Sequence, residues 1–194
     1  MSETINNLTK AFIGESMARN RYTFYAKIAQ KEGYEQISNI FLETAEQERE
    51  HASNLFKLIN ELKQKENKKI TSINVETEAN VVYGDTHENL KAAIDGEHYE
   101  YSSMYPSFAD VAEKEGYQAI ANKLRAIAVA EKHHEERYLK LLKEISNDTV
   151  FKKTNKVYWV CLKCGYMEEG TTPPKECPSC GHAYSFFQVK CENY

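Results

Sequence analysis

Between residues 4 and 146 the apolar residues recur at alternating steps of three and four, the spacing of one buried helix face. Helix breakers are few there, and the pattern predicts four helices, over 4–32, 34–65, 86–115 and 117–146. Gly33 and Gly116 fall at two tight breaks, as glycines just past a helix C-terminus do. The stretch 66–85 is polar and β-branched and must connect the second helix to the third, with Asp85 or Thr86 as the N-cap. Connections that run short, long, short describe a four-helix bundle with one long crossover. After a polar linker, 147–156, the pattern changes to Val157, Tyr158, Trp159 and Val160, followed by prolines and glycines. That composition predicts a small strand-and-turn domain whose core is too slight to fold without a staple. Its aromatics, Tyr158, Trp159, Tyr166, Phe186 and Phe187, are its expected core. The division is therefore 1–146, 147–156 and 157–194.

The bundle repeats itself. Lys31-Glu32-Gly33-Tyr34 returns as Lys114-Glu115-Gly116-Tyr117, and the same offset carries Ile37 to Ile120, Glu48 to Glu131 and His51 to His134. Gly14-Glu15 pairs with Gly96-Glu97 at an offset one residue shorter. Two related helical hairpins account for all of these matches.

Each apolar stripe is interrupted at its middle. The second helix reads Ile37, Phe41, Thr44, Glu48, His51, Leu55, Leu58, Leu62; the fourth reads Ile120, Leu124, Ile127, Glu131, His134, Tyr138, Leu141, Ile145. The first carries Leu8, Phe12, Glu15, Ala18 or Arg19, Tyr22, Ala26, and the third Leu90, Ala93, Glu97, Glu100, Met104, Phe108, Val111. Five glutamates at one level of a core cannot all remain ionised alone, because desolvating each carboxylate costs several kcal/mol. Two divalent cations would bring four positive charges against five negative ones. A Glu-x-x-His pair projects toward one point from one helix face. One carboxylate helix plus one Glu-x-x-His helix, twice over, is a two-metal arrangement, and carboxylate with imidazole suits iron or manganese. Glu50, Glu135 and Glu136 lie off the stripe and read as surface charges; His98 and His133 point elsewhere, and His87 and His182 have no constellation around them.

Composition narrows the rest. A net charge of -4 with 41% hydrophobic and 28% charged residues gives no basic face for nucleic acid. No apolar run reaches the length of a membrane span and the N-terminus has no signal-peptide core, so the expected location is the cytoplasm. All five cysteines follow residue 160. Cys161, Cys164, Cys177 and Cys180 form two Cys-x-x-Cys knuckles, which read as four thiolate ligands for zinc or iron; Cys191 is left without a role.

With both halves in view the sequence closely resembles the rubrerythrin family along essentially its whole length. The match lies in Gly14-Glu15-Ser16 with Ala18-Arg19-Asn20-Arg21-Tyr22, Gln47-Glu48-Arg49-Glu50-His51, Gly96-Glu97-His98-Tyr99-Glu100-Tyr101, Ala130-Glu131 with His134-Glu135, and the cysteine knuckles. The resemblance implies a ferritin-like di-iron bundle fused to a rubredoxin-like domain holding a third iron. It implies a non-haem peroxidase that reduces hydrogen peroxide to water in protection against oxidative stress. Glu48 and Glu131 would bridge the irons, with Glu15, Glu97 or Glu100, and His134 as outer ligands. Glu100 and His51 match the positions where the family exchanges a carboxylate for a histidine on reduction. Tyr22 and Tyr105 match tyrosines next to the ligands. Electrons would come from NADH or NADPH through a separate reductase or a rubredoxin-type donor, since no glycine-rich dinucleotide fingerprint is present. A head-to-tail homodimer is implied. A ferritin-type iron-handling protein with a merely structural cysteine domain is the alternative.

Overall fold

A computed structural model describes residues 2–66 and 69–192; residues 1, 67–68 and 193–194 lie outside it. Helix α1 (Glu3–Lys31) starts where the Ser2 hydroxyl accepts the Ile5 N–H. It stops at Gly33, whose φ of 85° is a left-handed conformation that glycine adopts without strain. There Tyr34 N–H donates to Ala29 O and Gly33 N–H to Gln30 O, the pair of bonds that closes a helix on such a glycine. The same two bonds recur at Gly116, from Tyr117 to Ala112 and from Gly116 to Glu113. The repeat in sequence is thus a repeat in structure: α1 packs against α2 (Glu35–Lys65), and α3 (Thr86–Tyr99) with α4 (Tyr105–Lys114) packs against α5 (Gln118–Ser146). Asp85 is the N-cap of α3, in a reciprocal capping box with Glu88.

The third predicted helix is two helices joined by a π turn, Glu100–Met104. Pro106 follows one residue later and has no N–H to donate back along a regular α-helix. The wider turn absorbs an extra residue and shifts the phase of everything after it. Core positions in α4 are therefore Tyr105, Ala109 and Ala112, in place of the predicted Phe108 and Val111, which are only half-buried.

Two apolar clusters fill the bundle, one above and one below the acidic layer. Leu8, Leu55, Leu62, Tyr105, Ile120 and Leu124 anchor the first; Tyr22, Tyr25, Ile37, Phe41, Leu90 and Tyr138 anchor the second. No helix among the described residues is long and apolar enough to cross a membrane.

The C-terminal unit is a three-stranded antiparallel sheet in the order β2-β1-β3, with β1 Val157–Cys161, β2 Met167–Gly170 and β3 Phe187–Val189. Its core is Trp159 and Phe187 against Cys161 and Cys177, with Tyr166 packed alongside. Tyr158 is half exposed and Phe186 lies outside that cluster, under the Lys163 ammonium and edge-on to His182. In so small a unit the strand face turned to the cysteines is the only interior, so Tyr158, next to Trp159 on β1, points the other way. The linker also departs from its polar character at Phe151, which stacks on Tyr34 and meets Tyr184 edge-on. These rings seat the small domain at the α1–α2 turn.

Candidate metal centres

Glu15 from α1, Glu48 from α2, Glu97 from α3 and Glu131 from α5 are each fully buried at one level of the bundle. They fall there because each occupies a position that the helix period assigns to the core. Two groups of donors form: Glu15, Glu48, His51 and Glu131, and Glu48, Glu97, Glu131 and His134, with the donor atoms of each group within 4.8 Å of one another. Glu48 and Glu131 belong to both, as bridging carboxylates between two ions would. Glu100 is also buried yet stands in neither group. The place it would take is held by His51, whose Nδ1 is 3.0 Å from Glu48 Oε2, 2.9 Å from Glu131 Oε1 and 3.8 Å from Glu15 Oε1.

The opposite ring, His134, places Nδ1 2.9 Å from Glu131 Oε2, 3.1 Å from Glu48 Oε1 and 3.5 Å from Glu97 Oε2. Although these atoms are close, few are aligned for hydrogen bonding. Glu15 Oε2, Glu48 Oε1, Glu97 Oε2, both Glu131 oxygens and His134 Nδ1 are buried without a hydrogen-bond partner. Buried polar atoms in native proteins are nearly always satisfied, so lone pairs converging on two points are what a pair of cations would complete. The oxygen-and-imidazole donor set fits iron or manganese.

Electrostatics agree. Burial, then repulsion from Glu131 and Glu48, pushes Glu15 well above the usual carboxylate range. Burial and the Glu48 charge raise Glu97 to about 8, and burial followed by Glu97 raises Glu100 strongly. Burial would raise Glu48 too, but the adjacent His134 and His51 rings outweigh it and hold Glu48 at about 2. Burial disfavours the charged form of both imidazoles, yet their carboxylate partners lift His51 to about 10 and His134 to about 12. Stripped of its ions, the layer would draw part of the positive charge it demands from protonated imidazoles.

Two tyrosines hold the outer carboxylates. Tyr22 donates its hydroxyl to Glu97 Oε1 at 2.5 Å, and Tyr105 donates to Glu15 Oε1. Burial, then the adjacent carboxylate, raises both phenols well above their ordinary value, so both stay protonated as donors. Glu135, read from sequence as a surface charge, is buried and pairs with His98 at 2.8 Å; α3 lies against that side of α5. Sequence reasoning also passed over Gln47 and Arg137, which contact His134 and its surroundings. A cavity of about 440 Å³ opens between α1 and α3 under crossover residues Glu76 to Asn80, and Glu100, Arg21, Gly14 and Gly96 line it. The two repeat glycines lie at its wall with ordinary contact room: a Cβ on Gly14 would sit 4.0 Å from Glu100 Oε1, and one on Gly96 3.7 Å from Arg21.

The cysteines form the second centre. Cys161 Sγ lies 3.7 Å from Cys180 Sγ, and Cys164 Sγ 3.6 Å from Cys177 Sγ. A disulfide would need about 2.05 Å, whereas thiolates bound tetrahedrally at about 2.3 Å stand roughly 3.8 Å apart. Gly165 and Gly181, at φ 75° and 72°, turn the chain after each knuckle. The Tyr166 backbone N–H draws Cys164 down to about 6, which favours its thiolate. Cys191 is exposed and free.

Comparison with known proteins places this geometry. The family model described as Rubrerythrin matches residues 6–142, and one described as Rubrerythrin, rubredoxin-like domain matches residues 159–188. A putative rubrerythrin of Methanocaldococcus jannaschii is 62% identical over 100% of this chain and 96% of its own. The rubrerythrin of Nitratidesulfovibrio vulgaris is 45% identical over 97% and 94%. A solved structure of nigerythrin in its fully reduced, all-ferrous state aligns over 98% of this chain and 87% of its own, with a TM-score of 0.64 and 30% identity. Rubrerythrins in general are oxidoreductases that reduce peroxide and protect against oxidative stress. The chain belongs to the rubrerythrin family, and its cofactors are two iron ions in the bundle and one at the four cysteines.

Proposed function

We propose that this protein is a hydrogen peroxide reductase that takes electrons through its cysteine domain. The observation carrying the proposal is the pair of donor groups that share Glu48 and Glu131, with Glu100 left out of both and lining the adjoining cavity. Bound there, a ferrous pair supplies two electrons at once, so that peroxide with two protons becomes two waters without release of a radical. The chain's own residues do the rest. Glu15, Glu97, His51 and His134 would hold two ions from outside, and Glu48 and Glu131, common to both donor groups, would be shared between them. Tyr105 and Tyr22 fix Glu15 and Glu97. Burial, then the Glu97 charge, raises the Glu100 carboxyl well above the usual carboxylate range, which favours its protonated form at the wall where a small peroxide would arrive. Glu100 and His51 are the residues that would offer the ions an anionic oxygen or a neutral imidazole, the first suiting a more positive pair and the second a less positive one.

Cys161, Cys164, Cys177 and Cys180 hold the ion through which electrons return one at a time. The small domain sits at the Tyr34 end of α2, roughly 14 residues before Glu48, or about 21 Å along the helix axis. That separation favours delivery to the neighbouring subunit of a head-to-tail homodimer. The donor is a reductase drawing on NADH or NADPH, or a rubredoxin-type protein. Reduced thiolates serving as ligands fit a cytoplasmic setting. The functional division is 1–146 for peroxide chemistry, 147–156 as connector and 157–194 for electron transfer.

The test is the visible spectrum of reduced, iron-loaded protein mixed with substoichiometric peroxide or with oxygen. Prompt return of the thiolate-to-iron bands with peroxide, faster than with oxygen, is expected. Faster reaction with oxygen and growth of an iron mineral would replace the peroxidase reading with iron storage.

A further inference from the structure

We propose that the cavity between α1 and α3 is a binding pocket for the organic part of an alkyl or aryl hydroperoxide, so that neutral organic hydroperoxides are substrates of the bundle alongside hydrogen peroxide. The inference rests on the peroxidase reading above and widens its substrate class. The bond broken is the same. Two electrons, supplied as for hydrogen peroxide, and two protons cleave the O–O bond, and ROOH leaves as the alcohol ROH and one water.

Hydrogen peroxide does not need this much room. A water claims about 30 Å³ in the liquid, and hydrogen peroxide, with two oxygens, about twice that. The cavity measures about 440 Å³, within the range of roughly 300–1,000 Å³ that holds small organic ligands. Its wall is also more apolar than a water channel requires. Met17 from α1, Tyr99 at the end of α3, Met104 at the end of the π turn and Phe108 from α4 line it. These side chains grade from inside to outside: Met104 is 8% exposed, Met17 and Phe108 are half-buried, and Tyr99 is 59% exposed. Glu100 and Met104 are the two buried residues of the π turn. The inner end of the apolar wall therefore lies beside Glu100, the residue of the acidic layer that lines the cavity.

The polar groups favour a neutral ligand. Lys10 and Arg21 share the lining with Glu76, Glu78 and Asp95, two cations against three anions before Glu100 is counted. A hydroperoxide carrying its own carboxylate gains no net attraction there, whereas an uncharged one avoids the cost of desolvating a charge. Arg21 adds a handle for the oxygens. Its Nε is buried with no hydrogen-bond partner among the described residues. Its Nη2 lies 3.7 Å from where a Cβ on Gly96, one residue before Glu97, would stand. A buried donor left without an acceptor is costly, and either oxygen of a hydroperoxide accepts such a bond. A mostly apolar wall with a few convergent polar groups is the composition of a site for a small organic molecule.

Two measurements on the full-length protein test the pocket. The first mixes reduced, iron-loaded protein with cumene hydroperoxide or with hydrogen peroxide. Reoxidation by cumene hydroperoxide is expected within about tenfold of the hydrogen peroxide rate; a wider gap overturns the proposal. Met17→Trp, which fills the apolar wall, and Tyr99→Ala, which removes its outer end, should each lower the ratio of the two rates about tenfold, the scale of one misfitted group in an apolar pocket. A ratio that moves in neither folded variant overturns the pocket, and the exposed Tyr99 carries the test if Met17→Trp does not fold. The second measurement involves no turnover. Protein loaded with zinc as a diamagnetic ion and labelled with carbon-13 at its methionine methyls is titrated with cumyl alcohol, the product that cumene hydroperoxide would leave. Met17 and Met104 should shift saturably while Met167, on β2, stays still. No saturable shift, or an equal one at Met167, overturns the pocket. Fast reaction with hydrogen peroxide alone overturns only the wider substrate class. Slow reaction with both peroxides and fast reaction with oxygen overturns the peroxidase reading itself.

Discussion

Stripping the metals leaves a bundle with a cluster of carboxylates in its core, and its stability should fall as pH rises. Glu97 is raised from 4.5 to about 8 in the folded chain. Below pH 4.5 the folded and unfolded chains both hold this proton; above it only the folded chain does, until pH passes about 8. Between pH 5.5 and 8 the difference amounts to roughly two pH units of one proton, or about 3 kcal/mol. Glu15 and Glu100 are shifted in the same direction. The histidines add to the slope. Their folded values, about 10 and about 12, lie above the unfolded 6.5. The stability they confer is complete below 6.5 and is lost as pH climbs through those values. Glu48, held at about 2, acts oppositely: its contribution is present above 4.5 and lost only in strong acid, outside this window. Water entering the emptied site offsets part of the sum, so the expected net loss from pH 5.5 to 8 is about 3 kcal/mol. With a urea slope of about 2 kcal/mol per molar, the helical unfolding midpoint of chelator-treated protein should drop by about 1.5 M. Iron-loaded protein should show no such drop, because ions displace these protons and bind more tightly as pH rises. A metal-free midpoint that stays level or rises between pH 5.5 and 8 would refute the electrostatic account.

Two further outcomes are expected. Tyr105→Phe leaves Glu15 Oε1 buried without its donor and should cost about 1–3 kcal/mol of metal-free stability, read by urea unfolding at pH 6; it should also lower the rate of reduced protein with peroxide. Cys177→Ser should abolish the thiolate-to-iron bands and steady-state turnover with an electron donor, while a single turnover of chemically reduced bundle iron with peroxide persists; loss of that single turnover as well would place the cysteine centre inside the peroxide chemistry.

The acidic layer was legible in sequence because a helix of period 3.6 leaves no place but the core for Glu48 between Phe41 and Leu55. The same reasoning decided between Ala18 and Arg19 only once packing was known: Ala18 is buried and Arg19 reaches outward to Glu46. Periodicity failed beyond Glu100, where the π turn changes the period itself; Pro106 marked the place without revealing the widened turn. It failed again for Glu135, whose burial depends on which neighbour covers that side of α5, something no single helix records. Tyr158 was misplaced because aromatic content does not say which strand face meets the cysteines. The support of His134 by Gln47 and Arg137 lay at the edge of the stripes, where polar residues look like ordinary surface.

The π turn also imposes a metering rule on the chain. Each residue of an α-helix advances about 100° around its axis. Deleting a single residue between Tyr101 and Met104 and closing the π turn into regular helix would keep Tyr105, Ala109 and Ala112 on their present face, because the turn has already absorbed that residue; deleting a second would rotate them relative to Glu97 by about that angle. The hydroxyl that now meets Glu15 would then face another helix. Substitutions at Ser102 and Ser103 are cheap, since both are exposed; a change of length beyond the one absorbed residue is not. At these two positions the count of residues matters more than their letters.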